Sequence, residues 1–180
     1  MAELGIDART ITQLVEQPLD PAEPPPRGGE TSQTVAFLTY LRGAIVGKLE
    51  GLDEADLRRG VLPSGWSLLG LVRHLAYVER FWRSRIVDGE PVELPWTEDD
   101  PDADWRVDEG TSPEEILDLY RREATATNHR FLGAALDAPV ADPEAPFDLR
   151  WVLLHLVEET ARHAGHADAA RELLDGVTRE

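Results

Sequence analysis

Apolar residues recur at spacings of three and four in several long stretches of this chain, and no stretch alternates convincingly over a strand's length. Thr31–Leu49 shows the pattern, with Val35, Leu38, Leu41, Ile45 and Leu49. Gly51 and Leu52 end it, and Asp53-Glu54-Ala55-Asp56 can begin a short extra turn. A second helix is expected within residues 63–89, with Ser64 or Ser67 as N-cap and Gly89 just past the end. The third opens on Ser112-Pro113-Glu114-Glu115, where Ser112 caps, Pro113 takes the first helical position and Glu115 completes a capping box; it runs to about Leu136. Asp148 caps the last helix, Leu149–Leu174, and Gly176 ends it. The fold expected is all-α, a four-helix bundle.

Proline marks the connections. Pro18, Pro21, Pro24, Pro25 and Pro26 break up residues 1–30, leaving room for a short helix over Ala8–Gln17 in a lead-in that otherwise lies over the surface. The bundle domain is then residues 31–180. Residues 90–110 are rich in Pro and Asp and carry Trp96 and Trp105. Loops of that length serve a site or a crossing. This one is expected to be a long crossover pinned by its two tryptophans, with the acidic loop 98–109 in solvent. Asp137–Pro146 is the other loop.

Charge and composition exclude whole classes of function. In 180 residues there are 35 Asp and Glu against 18 Lys and Arg, a net charge of −17. Such a chain repels phosphate backbones and anionic lipid, so neither nucleic acid nor a membrane surface is expected as a partner. There is no cysteine, hence no disulfide, no Cys zinc site and no thiol nucleophile. The start of the chain is polar, with no apolar stretch of the secretory type, and no apolar run approaches the ~20 residues of a membrane span. The expected location is the cytoplasm.

The histidines are where chemistry can reside. His74 falls inside the apolar arc formed by Leu71, Leu75, Val78, Phe81 and Trp82, so it points into the bundle. A lone inward histidine is more often a hydrogen-bonded core residue than a ligand. The last helix changes the balance: His155, Glu159, His163 and His166 share one stripe, within about 80° of one another. Side chains at i and i+4, with Cβ atoms ~6 Å apart, can reach the same ion. A carboxylate and two imidazoles suit Zn²⁺ first, and Ni²⁺, Mn²⁺ or Fe²⁺ otherwise. With His74, Glu159 and His163 make a three-ligand set, which leaves coordination positions open as catalytic sites do. Glu158 and Arg162 are read as a surface pair, His129 as structural, and His155 and His166 as supporting groups or alternative ligands. No residue is assigned as acid, base or nucleophile.

The segments SGWSLLGLVRHLAYVERFW and LRWVLLHLVEETARHAGHADAARE resemble the DinB/YfiT-like superfamily of metal-binding four-helix bundles, and within it the actinobacterial branch related to the mycothiol-dependent enzymes. The likeness covers roughly residues 30–175. It implies a divalent ion held by a histidine of the second helix and two residues one turn apart on the last, which correspond to His74, Glu159 and His163. The commonest family version has histidine at the middle position; the mycothiol-dependent maleylpyruvate isomerase branch has glutamate there, as this chain does.

The resemblance further implies a metal-dependent S-transferase or isomerase whose partners are a low-molecular-weight thiol and a small electrophile. The alternative is a non-catalytic metal-binding or stress-response bundle. Analogy with other bundles points to a homodimer. Arg73, Arg80, Arg83 and Arg85 stand out in so acidic a chain. They are read as pairing with Glu79, Asp88 and the acidic loop rather than as a docking surface.

Overall fold

The computed structural model describes residues 8–178; the polar start of the chain, residues 1–7, lies outside them. The α-helices are α1 (Ala8–Glu16), α2 (Glu30–Gly47), α3 (Glu54–Leu57), α4 (Leu68–Arg80), α5 (Pro113–Phe131) and α6 (Leu149–Asp175). Among the described residues there is no strand, and a single bridge joins Pro139 to Asp148. The molecule is an all-α bundle. No helix among the described residues is long and apolar enough to cross a membrane.

The helix starts follow the local chemistry of the sequence. Ser67 rather than Ser64 caps α4, its Oγ accepting from Gly70 N at 3.1 Å. Ser112 and Glu115 form the reciprocal capping box of α5, and the Asp148 carboxylate accepts from Trp151 N at the head of α6. Gly176 closes α6 in the left-handed region at φ 76°. Two ends differ from expectation. Helix α5 stops at Phe131, because Leu132 is extended and Gly133 turns the chain at φ 92°. Helix α4 does not run evenly to Gly89: Phe81–Val87 widens into a π-helix, a local form that recurs at functional sites.

Each long helix crosses two apolar clusters separated by a polar layer. On α2, Val35 and Leu38 lie in one cluster and Ile45 and Leu49 in the other, with buried Arg42 between. On α6, Leu149–Leu156 serve the first, Ala167 and Ala170 the second, with Glu159 and His163 between. Helices α4 and α5 cross in the opposite order, Leu69 to Ile86 and Tyr120 to Phe131. So α2 and α6 run one way and α4 and α5 the other. Helix α4 packs mainly on α5, and α2 mainly on α6. Parallel neighbours cannot be joined by a short turn, which is why residues 90–110 must cross the bundle.

The polar layer is held by Arg42. Its guanidinium donates to both oxygens of Glu79, at 2.6 and 2.7 Å, and to Asn128 Oδ1 at 2.8 Å. Asn128 Nδ2 in turn donates to Leu14 O and Thr39 Oγ1. The lead-in is therefore more than a surface strap. Leu14 is a core residue, and a Cβ on Gly43 would stand 2.4 Å from Pro21 N, so the chain after α1 lies directly on α2.

Three of the four arginines of the second helix pair with acids, though not with Glu79 or Asp88, and Arg73 bonds a backbone carbonyl of the loop. Arg80 and Arg83 hold Glu123, and Arg85 faces Asp142. Arg73 donates to Ala103 O at 2.7 Å, and Asp88 is taken by Arg130. Glu79 is unavailable to them because it is buried against Arg42.

Candidate metal centre

Three features place the loop against α4. Gly70 presents no side chain where Trp105 passes, and a Cβ there would lie 2.2 Å from Trp105 O. Arg73 ties down Ala103 O. The 3-10 turn Ala103–Trp105 then delivers two consecutive side chains to His74. Asp104 Oδ2 is 2.7 Å from His74 Nδ1, and the Trp105 ring stacks on the imidazole at 4.0 Å with 16° between planes. Asp104 is buried. The reading of the acidic loop as wholly solvated thus fails at this residue.

On the opposite side stands the last helix. Glu159 Oε1 lies 3.1 Å from His163 Nε2 and 3.7 Å from His74 Nε2, the latter too far for a hydrogen bond. Ligand atoms of His74, Glu159 and His163 all lie within 4.8 Å of one another, and the three could hold a metal ion. With Nδ1 engaged by Asp104, His74 turns Nε2 toward Glu159. That nitrogen is buried and has no hydrogen-bond partner among the described residues. A buried polar atom without a partner is costly in an apolar bundle. An ion at this point would satisfy it, and a soft-to-borderline nitrogen pair with one carboxylate suits a divalent transition metal.

The electrostatics agree. His163 at hydrogen-bond distance, with His74 behind it, holds the Glu159 carboxyl far below the usual carboxylate range, so the group is charged. Burial of His74 works against its imidazolium, and the carboxylates of Asp104 and Glu159 outweigh it, so its pKa lies above the ordinary value. The cluster has the negative charge that attracts a cation and the imidazoles that select a transition metal.

The remaining histidines separate cleanly. His166 Nδ1 is 3.4 Å from His163 Nδ1, and its ring meets that of His163 edge-on at 5.3 Å. It stands behind the group rather than in it. His155 instead stacks on Trp151 at 5.1 Å and meets Trp82 at 4.6 Å. His129 is exposed. Glu158 and Arg162 form a surface ion pair.

A family model described as mycothiol S-transferase matches residues 33–176, which is most of the chain. The chain belongs to that family. No curated protein matches it. For a mycothiol S-transferase family member, the match takes in all three residues of the group, both connections and the whole of the long bundle helices except the first turn of α2. It also agrees with the DinB/YfiT-like resemblance of the two histidine-bearing segments. Two residues of the site were beyond sequence reasoning. Asp104 and Trp105 lie 30 and 31 positions from His74 in an irregular loop, where no periodicity reports direction. The one signal was a pair of tryptophans embedded in an acidic run.

Proposed function

We propose that this chain is a divalent-metal-dependent S-transferase that moves a small thiol of the mycothiol type onto an electrophile. The convergence of His74, Glu159 and His163 on one point, in a member of this family, carries the reading. The bundle of residues 31–180 is the catalytic unit and residues 1–30 are its lead-in. Zn²⁺ is the ion expected first. The chain has no cysteine, so the sulfur must arrive with the cosubstrate.

A divalent ion bound by these three residues would lower the pKa of a coordinating thiol to near neutrality and act as a Lewis acid beside it. The residues do the rest. Asp104 accepts from His74 Nδ1 and keeps Nε2 free as a ligand atom. His166 stands against the far nitrogen of His163 in the same way. Trp105 covers the His74 ring and excludes water from that face. In the transfer a sulfur–carbon bond forms and the bond from carbon to its leaving group breaks. The leaving group departs with that electron pair, and the thiol proton passes to solvent.

The test is elemental analysis of untagged protein purified without chelator, for wild type and His74→Ala, followed by incubation with mycothiol and electrophiles. About one transition metal per chain, lost in His74→Ala, with metal-dependent thiol consumption, is the expected result. Absence of metal after incubation with Zn²⁺, Ni²⁺ and Mn²⁺ would remove the reading. Metal binding without thiol consumption by any electrophile would leave a non-catalytic metal-binding bundle.

A further inference from the structure

Beside His74 the surface opens into a cleft of about 420 Å³, within the range of small-molecule sites. Its walls are aromatic: Phe81, Trp82, Trp96 and Trp105 all line it, and all are half-buried rather than packed away. Phe81 meets Trp82 edge-on at 5.5 Å and Trp96 at 6.0 Å. Phe81 and Trp82 sit at the start of the π-helix, and Trp96 comes from the crossover loop. His74 is the member of the candidate metal group that borders the cleft.

The charge at the rim is one-sided. Asp102 and Asp104 line the cleft, and no lysine or arginine among the described residues does. The arginines of the neighbouring helix are committed elsewhere: Arg73 to Ala103 O, Arg80 and Arg83 to Glu123. Half-exposed aromatic faces attract flat apolar rings and cations, and an exposed carboxylate such as that of Asp102 repels anions.

We propose that this cleft is the subsite for the electrophile, and that it takes flat, apolar compounds carrying no negative charge. The word electrophile rests on the S-transferase reading; the binding preference rests on the cleft. Within the cleft's own lining, a carboxylate substrate would meet the exposed Asp102 with no lysine or arginine to pair with.

Calorimetry on the protein as purified, without thiol, tests this with three probes of one size: 2-methoxynaphthalene, N-methylquinolinium and 2-naphthalenesulfonate. The sulfonate should bind at least tenfold more weakly than the other two. Trp96→Ala should weaken the neutral probe at least tenfold and Trp96→Phe should restore most of it, with helical content followed by circular dichroism. Asp102→Lys, at an exposed position, should strengthen the sulfonate at least tenfold. Equal binding of all three probes, or a neutral-probe affinity unmoved by Trp96→Ala in folded protein, would overturn the proposal. Metal content is measured on the same samples, so probe binding fails or succeeds independently of thiol transfer. A protein that consumes thiol but ignores the neutral and cationic probes refutes the subsite alone.

Discussion

Asp104 Oδ2 and His74 Nδ1 stand 2.7 Å apart across 30 residues of sequence, and this contact sets which nitrogen of His74 faces Glu159. A carboxylate behind a ligating histidine fixes its tautomer and raises its basicity. Asp104→Asn should therefore weaken metal affinity by about 10–100-fold while leaving the stoichiometry at saturation unchanged. Competition against a chelating dye measures it. Unchanged affinity would mean that packing against Trp105 suffices to aim the ring.

The two undecided histidines should behave differently. His166 touches His163, whereas His155 packs among Trp82 and Trp151. His166→Ala is expected to lower metal affinity, and His155→Ala to leave it untouched. The same competition assay decides, and the opposite ranking would relocate the site along α6.

The Arg42–Glu79 pair is a stability device rather than part of the site. Arg42 is fully buried, and removing one member leaves the other charged and unpaired. Arg42→Met should cost about 3–5 kcal/mol in urea unfolding. The double variant Arg42→Met, Glu79→Leu should recover much of that loss, because replacing both charges removes the desolvation problem. If the double variant is as unstable as the single, the bonds of Arg42 to Asn128 carry the layer.

Gly70 controls the seating of the loop. A methyl group there collides with Trp105 O, which is backbone and cannot swing aside. Gly70→Ala should cost about 1–3 kcal/mol as an overpacking change. It should also weaken metal binding, since Asp104 and Trp105 move together. Thermal unfolding with and without added Zn²⁺ separates the two effects.

Acid should release the cap of α5. The Ser112 backbone N–H donates to Glu115 Oε2 at 2.7 Å, and with the Ser112 side chain it holds the Glu115 carboxyl below its ordinary 4.5. A lowered carboxyl pKa stabilises the fold above the unfolded value and loses that contribution as pH falls through the folded one. An NMR titration should find Glu115 titrating below 4.5, and Ser112→Ala, which keeps the backbone donor and loses only the hydroxyl, should raise it part of the way. A midpoint at the ordinary value in wild type would show the cap is open in solution.

Helices and caps were legible because they are local. Ser112, Asp148 and Gly176 act on backbone groups within a few residues, and the apolar period of Val35, Leu38 and Ile45 repeats every turn. The pairing of Glu159 with His163 was legible for the same reason, since a four-residue spacing on a helix fixes two side chains on one stripe. His74 could be aimed inward from its neighbours on the wheel, though its meeting with the last helix came from a family resemblance.

Long-range contacts obey no such period. Nothing in the spacing of Arg42, Glu79 and Asn128 announces a buried polar layer, and Arg42 is the one charged residue among the buried positions of its helix. The widening of the chain at Phe81–Val87 and the dip of Asp104 into the bundle are likewise invisible along the chain. Local hydrogen bonds and the 3.6-residue repeat were enough to write the helices and two of the three residues of the candidate group. The polar layer, the tuning of His74 and the cleft beside it exist only once parallel α4 and α5 force a crossover loop over the bundle, because only that packing brings residues 74, 104 and 159 within reach of one another.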